Sequence, residues 1–114
     1  MKEFVKVMKA MSDPSRIKIL KLLQNKKLCV CELQALLELS QPTISKHLRL
    51  LEDAGMVKGC RDKLWVNYSL AKSVETIYAK TMLLNLKKWL NDDPEVASLR
   101  LKSLQVDRDD ICKK

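Results

Sequence analysis

The stretch Leu39-Ser40-Gln41-Pro42-Thr43-Ile44-Ser45-Lys46-His47-Leu48-Arg49-Leu50-Leu51 decides the fold. Ser40 or Gln41 suits a helix N-cap, and Pro42 falls in the first turn, where a missing N–H costs nothing. Ile44, Leu48 and Leu51 recur four and three residues apart, so they share one helix face. Gln41, Thr43, Ser45, Lys46, His47 and Arg49 remain for the other face, a row of donors and cations. Ala54 and Gly55 close the helix, glycine fitting the left-handed residue just past a C-terminus.

The segments before it also read as helices. Residues 4–11 place Phe4, Val7, Met8 and Met11 at helical spacing. Asp13 then caps, and Pro14 opens, a second helix with a stripe of Ile17, Leu20 and Leu23. Residues 24–27 end it, and Val30, Leu33, Leu36 and Leu37 mark a third. After Gly55 the period changes: residues 56–61 and 64–70 read as two strands around Asp62-Lys63, with Leu64, Val66, Tyr68 and Leu70 on one face. A long helix is expected over 73–90, striped by Val74, Ile77, Tyr78, Met82, Leu86, Trp89 and Leu90. Residues 91–94 break it, and the tail keeps Val96, Leu99, Leu101 and Leu104 at partly helical spacing. The reading is mainly α with a small β-hairpin, a winged helix-turn-helix. Residues 1–92 are expected to form one domain, and 93–114 a C-terminal extension, partly helical or disordered.

Composition agrees. The 114 residues hold one core and are too few for a dinucleotide-binding domain with a partner domain or for a β/α barrel. Aromatics at 4% and two glycines leave little for a β-sandwich or a phosphate-cradling loop. Net charge is +8, with fourteen basic and seven acidic side chains in residues 1–72 against eight and seven in the rest. An anionic partner therefore meets the first two thirds of the chain.

Two short helices and a brief turn, the second rich in Gln, Thr, Ser, Lys, His and Arg, match the pair that enters the major groove of double-stranded DNA. Gln41, Thr43 and Ser45 can bond base edges or phosphates, Lys46 and Arg49 can pair with phosphates or guanine, and His47 can donate to either. Arg61 and Lys63 at the hairpin tip add salt-sensitive attraction along the backbone or minor groove. No run approaches a membrane span and no signal peptide opens the chain, so a cytoplasmic protein is expected. In that reducing compartment Cys29, Cys31, Cys60 and Cys112 read as thiols or metal ligands rather than structural disulfides.

Ser12-Asp13-Pro14-Ser15-Arg16-Ile17, the recognition stretch quoted above, Gly55-Met56-Val57 and Trp65-Val66-Asn67-Tyr68 together resemble the ArsR/SmtB family of metal-sensing repressors, over about residues 4–90. The resemblance implies a homodimer that blocks transcription until an inducer releases it from its operator. Dimerisation would use the first and last helices of the domain, here the stripes of Phe4, Met8 and Met11 and of Val74 to Leu90.

Leu28-Cys29-Val30-Cys31-Glu32-Leu33 is similar to the signature of the arsenic and antimony sensors, with a cadmium and lead branch as near relative. The inducer implied is As(III) or Sb(III), with no resident cofactor. Cys29 stands three residues before Glu32, the spacing of a capping box, which puts its sulfur at the positive end of a helix near Lys26 and Lys27 and favours a thiolate. Residues two apart do not share a helix face, so Cys29 and Cys31 can grip one ion only by distorting that first turn. Where some relatives carry a third cysteine this chain has Gln34. Cys60 and Cys112 are the candidates for a third ligand, beside a two-thiol site completed by solvent or a small thiol. Residues 73–90 contain no His and only Glu75 among carboxylates, which excludes the zinc, cobalt and nickel sites relatives build there. A thiol-redox-sensing repressor uses the same cysteines and stays open. An enzyme does not fit: there is no CxxC, no glycine-rich loop, and the one histidine sits on another helix.

Overall fold

The computed structural model describes residues 1–72 and 76–106. In chain order these form α1 (Lys2–Ala10), α2 (Pro14–Leu23), β1 (Leu28–Cys29), α3 (Val30–Leu37), α4 (Gln41–Asp53), β2 (Val57–Asp62), β3 (Trp65–Leu70), α5 (Ile77–Leu86) and α6 (Pro94–Ser103). The winged helix-turn-helix expected from sequence is the one observed, with α3 and α4 as the helix pair and β2–β3 as the wing.

Polar caps start four of the helices. Asp13 accepts from the Arg16 N–H at 3.1 Å, Ser40 from Thr43 at 3.4 Å and Thr76 from Ala79 at 3.2 Å. Asp93 accepts from both Glu95 and Val96 at 3.1 Å. Each satisfies a donor the first turn cannot. Pro14, Pro42 and Pro94 sit within the first two helical positions, so none interrupts a helix.

One core runs through all the layers. Ile19, Leu20 and Leu22 of α2 stand at its centre, met by Leu33 of α3, Ile44 and Leu48 of α4, and Leu83 and Leu86 of α5. Met56 and Val57 bring the root of the wing into it.

Two features differ from the sequence reading. The hairpin is part of a three-stranded antiparallel sheet in the order β1-β3-β2. Leu28 pairs with Tyr68 and Cys29 with Asn67. A two-residue strand is too short to show a period, so nothing in the pattern announces it. At the other end of the wing Asp62 pairs with Trp65. Lys63 and Leu64 therefore form the tip, Lys63 with φ 58 and Leu64 standing clear of the sheet face assigned to it.

Second, the helix expected over 73–90 is shorter: Thr76 caps it and it ends at Leu86. Ser73, Val74 and Glu75 lie outside the described residues. The end has a physical cause in Lys21, a lysine of α2 that is only 1% exposed. Its ammonium donates to the carbonyls of Leu86 at 2.7 Å and Trp89 at 2.8 Å, and to Asn91 Oδ1 at 2.8 Å. Asn91 in turn donates to the Lys87 carbonyl at 2.9 Å, and Leu90 turns the chain with φ 64. A cation at a helix C-terminus satisfies orphan carbonyls and opposes the negative end of the dipole. Burial first, and then the nearby Arg100 guanidinium, push the Lys21 pKa below its ordinary value.

In the extension read from sequence as partly helical or disordered, residues 94–103 form a packed helix. Val96, Leu99 and Ser103 of α6 are buried, Lys18 forms an ion pair with Glu95, and Arg100 donates to Gln24 Oε1 at 3.0 Å. Helix α6 thereby covers α2 and the neighbouring face of α3.

Replacing Lys21 by Met keeps most of the stem but leaves Leu86, Trp89 and Asn91 without their shared donor. Urea denaturation should show Lys21→Met less stable by about 2–4 kcal/mol, the cost of stranding buried acceptors. Unchanged stability would mean that water reaches those carbonyls.

Candidate nucleic-acid interface and thiol site

Helix α4 buries Ile44, Leu48 and Leu51 and turns Gln41, Lys46 and Arg49 fully outward. Thr43 and Ser45 are half-buried on the same side. The N-terminal turn is pre-ordered by local bonds: Gln41 Nε2 donates to Ser45 Oγ at 2.7 Å, and the Ser40 and Thr43 hydroxyls lie 2.9 Å apart. Arg61 and Lys63 are exposed at the far end of the wing. Those seven side chains are thus presented by two separate elements.

His47 is placed differently. It is half-buried, and its Nδ1 lies 3.1 Å from an Arg16 guanidinium nitrogen. An arginine can only donate, so Nδ1 accepts and the ring proton resides on Nε2. Burial, the largest influence, lowers the His47 pKa; Asp13 opposes this, and Arg16 and Lys46 add to it. Arg16 also donates to the carbonyl of Ala10 at 2.8 Å and of Lys9 at 3.1 Å. One guanidinium therefore ties the end of α1 to the middle of α4. The sequence reading passed over Arg16 although it lies in the quoted Ser12–Arg16 stretch, because contacts spanning 31 residues have no local signature.

The cysteines are spread over distinct environments. Cys29 is buried, the last residue of β1 and the N-cap of α3. The capping box forms, with Glu32 Oε1 accepting from the Cys29 N–H at 2.9 Å. The thiolate expected there is not favoured. Burial is the largest influence and pushes the Cys29 pKa up; the Glu32 side chain adds to it, outweighing the backbone N–H groups of Glu32 and Cys31. The capping carboxylate is one residue doing two opposed things, holding the turn and repelling the anion.

Cys31 is disulfide-bonded rather than a thiol. It borders a shallow depression with Gln34, Ala35, Glu38 and Leu39, which Cys29 does not reach. Cys29 and Cys60 are the free cysteines among the described residues. Both pair with Asn67, from opposite sides of β3, so Cys29, Asn67 and Cys60 form one row across the sheet. Cys112 lies outside the described residues. Among those residues no group of three His, Cys, Asp or Glu is arranged to hold a metal ion. No helix among them is long and apolar enough to cross a membrane.

A cationic wing beside a helix pair with a donor-rich outer face defines a winged helix DNA-binding protein. Residues 13–58 match the family described as bacterial regulatory protein, arsR family. The arsenic resistance transcriptional regulator ArsR2 of Pseudomonas putida is 35% identical over 112 residues, covering 93% of this chain and 94% of that one. The cadmium resistance transcriptional regulatory protein CadC homolog of Staphylococcus aureus is 42% identical over 69 residues, 60% of this chain and 57% of its own. Among solved structures, HlyU from Vibrio cholerae superposes with TM-score 0.64 at 33% identity, covering 76% of this chain and 90% of that one, and has also been solved reduced. The chain belongs to the arsR family. It is a DNA-binding transcriptional repressor, not an enzyme.

The Arg16–His47 contact has a pH signature. Because the folded-state pKa of His47 is lowered, the unfolded chain binds the proton first as pH falls below about 6.5. Stability should therefore decline on acidification below that value, and recover as pH rises through it. His47→Gln, which keeps an acceptor for Arg16 without a titrating ring, should lose that component of the slope. Equal slopes in the two proteins, read from denaturation midpoints at several pH values, would contradict it.

Proposed function

We propose that this repressor is a homodimer that holds an operator through α4 and the wing, and releases it when, a small thiol having reduced the disulfide at Cys31, trivalent arsenic or antimony condenses with Cys29 and Cys31. Gln41, Thr43 and Ser45 read base edges. Lys46 and Arg49 take phosphates or guanine, the Nε2–H of His47 donates beside them, and Arg61 and Lys63 follow the adjacent backbone or minor groove. The dimer forms on α1 and α5, where Phe4, Tyr78 and Ile77 leave apolar area exposed and the Phe4 and Tyr78 rings meet edge to face at 5.2 Å. The protein acts in the cytoplasm.

The observation that carries the switch is the position of Cys29. It ends the strand that pairs with the wing and caps the helix that precedes α4, so a bond formed at its sulfur disturbs both DNA-contacting elements together. Cys31, two residues on, faces elsewhere, and bringing both sulfurs to one atom must unwind the start of α3. That distortion supplies differential binding energy between DNA-competent and released states.

The high thiol pKa favours a metalloid over a divalent metal. Arsenous acid and two thiols give a dithioarsinous product and two waters, the thiol protons leaving as water. A divalent ion must instead expel those protons to solvent. Adjacent strands are about 4.8 Å apart, which puts the Cys60 backbone roughly 10 Å from that of Cys29, two strands away. Cys60 is therefore outside the inducer site, and a third donor comes from Cys112, solvent or a small thiol.

The disulfide at Cys31 and the reduced form of HlyU support a second reading, a repressor switched by thiol oxidation. There two thiols would lose two protons and two electrons to a peroxide, leaving a disulfide and water.

Fluorescence anisotropy of an operator fragment from the protein's own promoter, in a phosphine reductant, separates these. Arsenite or antimonite should release the DNA, and a Cys29→Ser, Cys31→Ser variant should stay bound; release of that variant at an unchanged midpoint would defeat the thiol site. Release by peroxide in a parallel titration without the phosphine, with no response to arsenite in its presence, would select the redox reading.

Inducer selectivity should also depend on pH. Between about pH 6 and 8 the arsenite midpoint should stay nearly flat, while cadmium should weaken about tenfold per unit of acidification for each thiol proton displaced. Parallel slopes for the two would show that a preformed thiolate binds both.

A further inference from the structure

Between the end of α2, the end of β3 and one flank of α5 lies a cavity of about 510 Å³, within the roughly 300–1,000 Å³ range of small-molecule sites. It plays no part in the DNA or thiol chemistry above. Leu23, Leu70, Leu83 and Leu84 give it an apolar body. Around that body stand five lysines, Lys26, Lys27, Lys72, Lys80 and Lys87, and no acidic residue among the described lining. The lysines come from three segments distant in sequence, so the fold and not a local run gathers them.

Five ammonium groups around one apolar pocket are unfavourable to one another and ordinarily alternate with carboxylates. An anion with an apolar body relieves the repulsion and fills the leucine surface at once. Gln24 also lines the pocket, and its Nε2 is buried with no hydrogen-bond partner among the described residues, while its Oε1 is occupied by Arg100. Among the described residues the wall therefore offers donors in excess and no acidic side chain.

Two other occupants fit less well. A second copy of the chain would sit on the α1 side of α5, marked by the Phe4–Tyr78 contact. Lys80, Leu83, Leu84 and Lys87 recur at three and four residues and line a different flank, since Tyr78 and Lys80 are about 200° apart around the helix. DNA would use the lysines but leave the leucines wet, and the cavity abuts Ser69 and Leu70, the end of β3 away from the wing tip.

We infer that this cavity binds a small amphiphilic monoanion, a carboxylate on an alkyl or aryl body, as a second effector site separate from the cysteines. The lysine rim takes the carboxylate and the leucines take the body.

The test uses the full chain with anilinonaphthalene sulfonate as fluorescent probe and octanoate as competitor. Octanoate should displace the probe at one site per chain, and octanol of equal length should not. The side chains of Lys27 and Lys80 are exposed and form no hydrogen bond or ion pair among the described residues, so a Lys27→Glu, Lys80→Glu variant should keep its melting temperature and bind octanoate at least about tenfold more weakly, the loss of a charge-assisted contact. Equal competition by octanol and octanoate, or unchanged octanoate affinity in the variant, would overturn the site. Probe binding that falls as protein concentration rises would assign the surface to a second copy and overturn it as well. If the variant melts lower, Lys87→Gln replaces it with the same expectation.

Discussion

A single buried ammonium organises the half of the molecule away from the helix pair and the wing. Lys21 leaves water to meet three oxygens at the end of α5, and in doing so fixes where that helix stops and how the chain turns toward α6. Its stem belongs to α2, the helix at the centre of the core. Helix α5, α6 and the DNA-binding pair are all referred to that one element: α5 through Lys21, α6 through Lys18 and Gln24, and α4 through Arg16. Charged contacts of this kind add direction to a hydrophobic core that would otherwise tolerate sliding, since area burial is indifferent to small rotations.

Much of this was legible in the residues. The stripe of Ile44, Leu48 and Leu51, the caps at Asp13 and Ser40 and the change of period after Gly55 are local signals, and each corresponds to an observed element. The unread parts depend on partners far along the chain. Strand β1 exists because Tyr68 and Asn67 arrive beside it, and two residues carry no periodicity of their own. The early end of α5 depends on a lysine 65 residues away from Leu86. A clue was available: Lys21 stands four residues after Ile17, on the apolar face of its helix, where a cation has to find acceptors.

The thiol site shows how a correct local motif can carry the wrong charge. The capping-box spacing of Cys29 and Glu32 is real, and the helix N-terminus does favour an anion there. Depth was the missing variable, because the sulfur is buried and the capping carboxylate stays beside it. A thiol held protonated reacts poorly as a nucleophile.

Among the described residues strand β2 has one paired edge and one open one, since β3 lies between it and β1. An open edge of unpaired N–H and C=O groups is a template for another molecule's strand, and repressors must work at the high local concentrations found on DNA. Here the edge carries Lys58, Arg61 and Asp62, all exposed, and Gly59, where an added Cβ would come within 3.0 Å of the Tyr68 ring. Charge along an edge obstructs strand addition. The exposed charges of Lys58, Arg61 and Asp62 therefore have a consequence independent of any ligand: they keep the protein from assembling sheet to sheet.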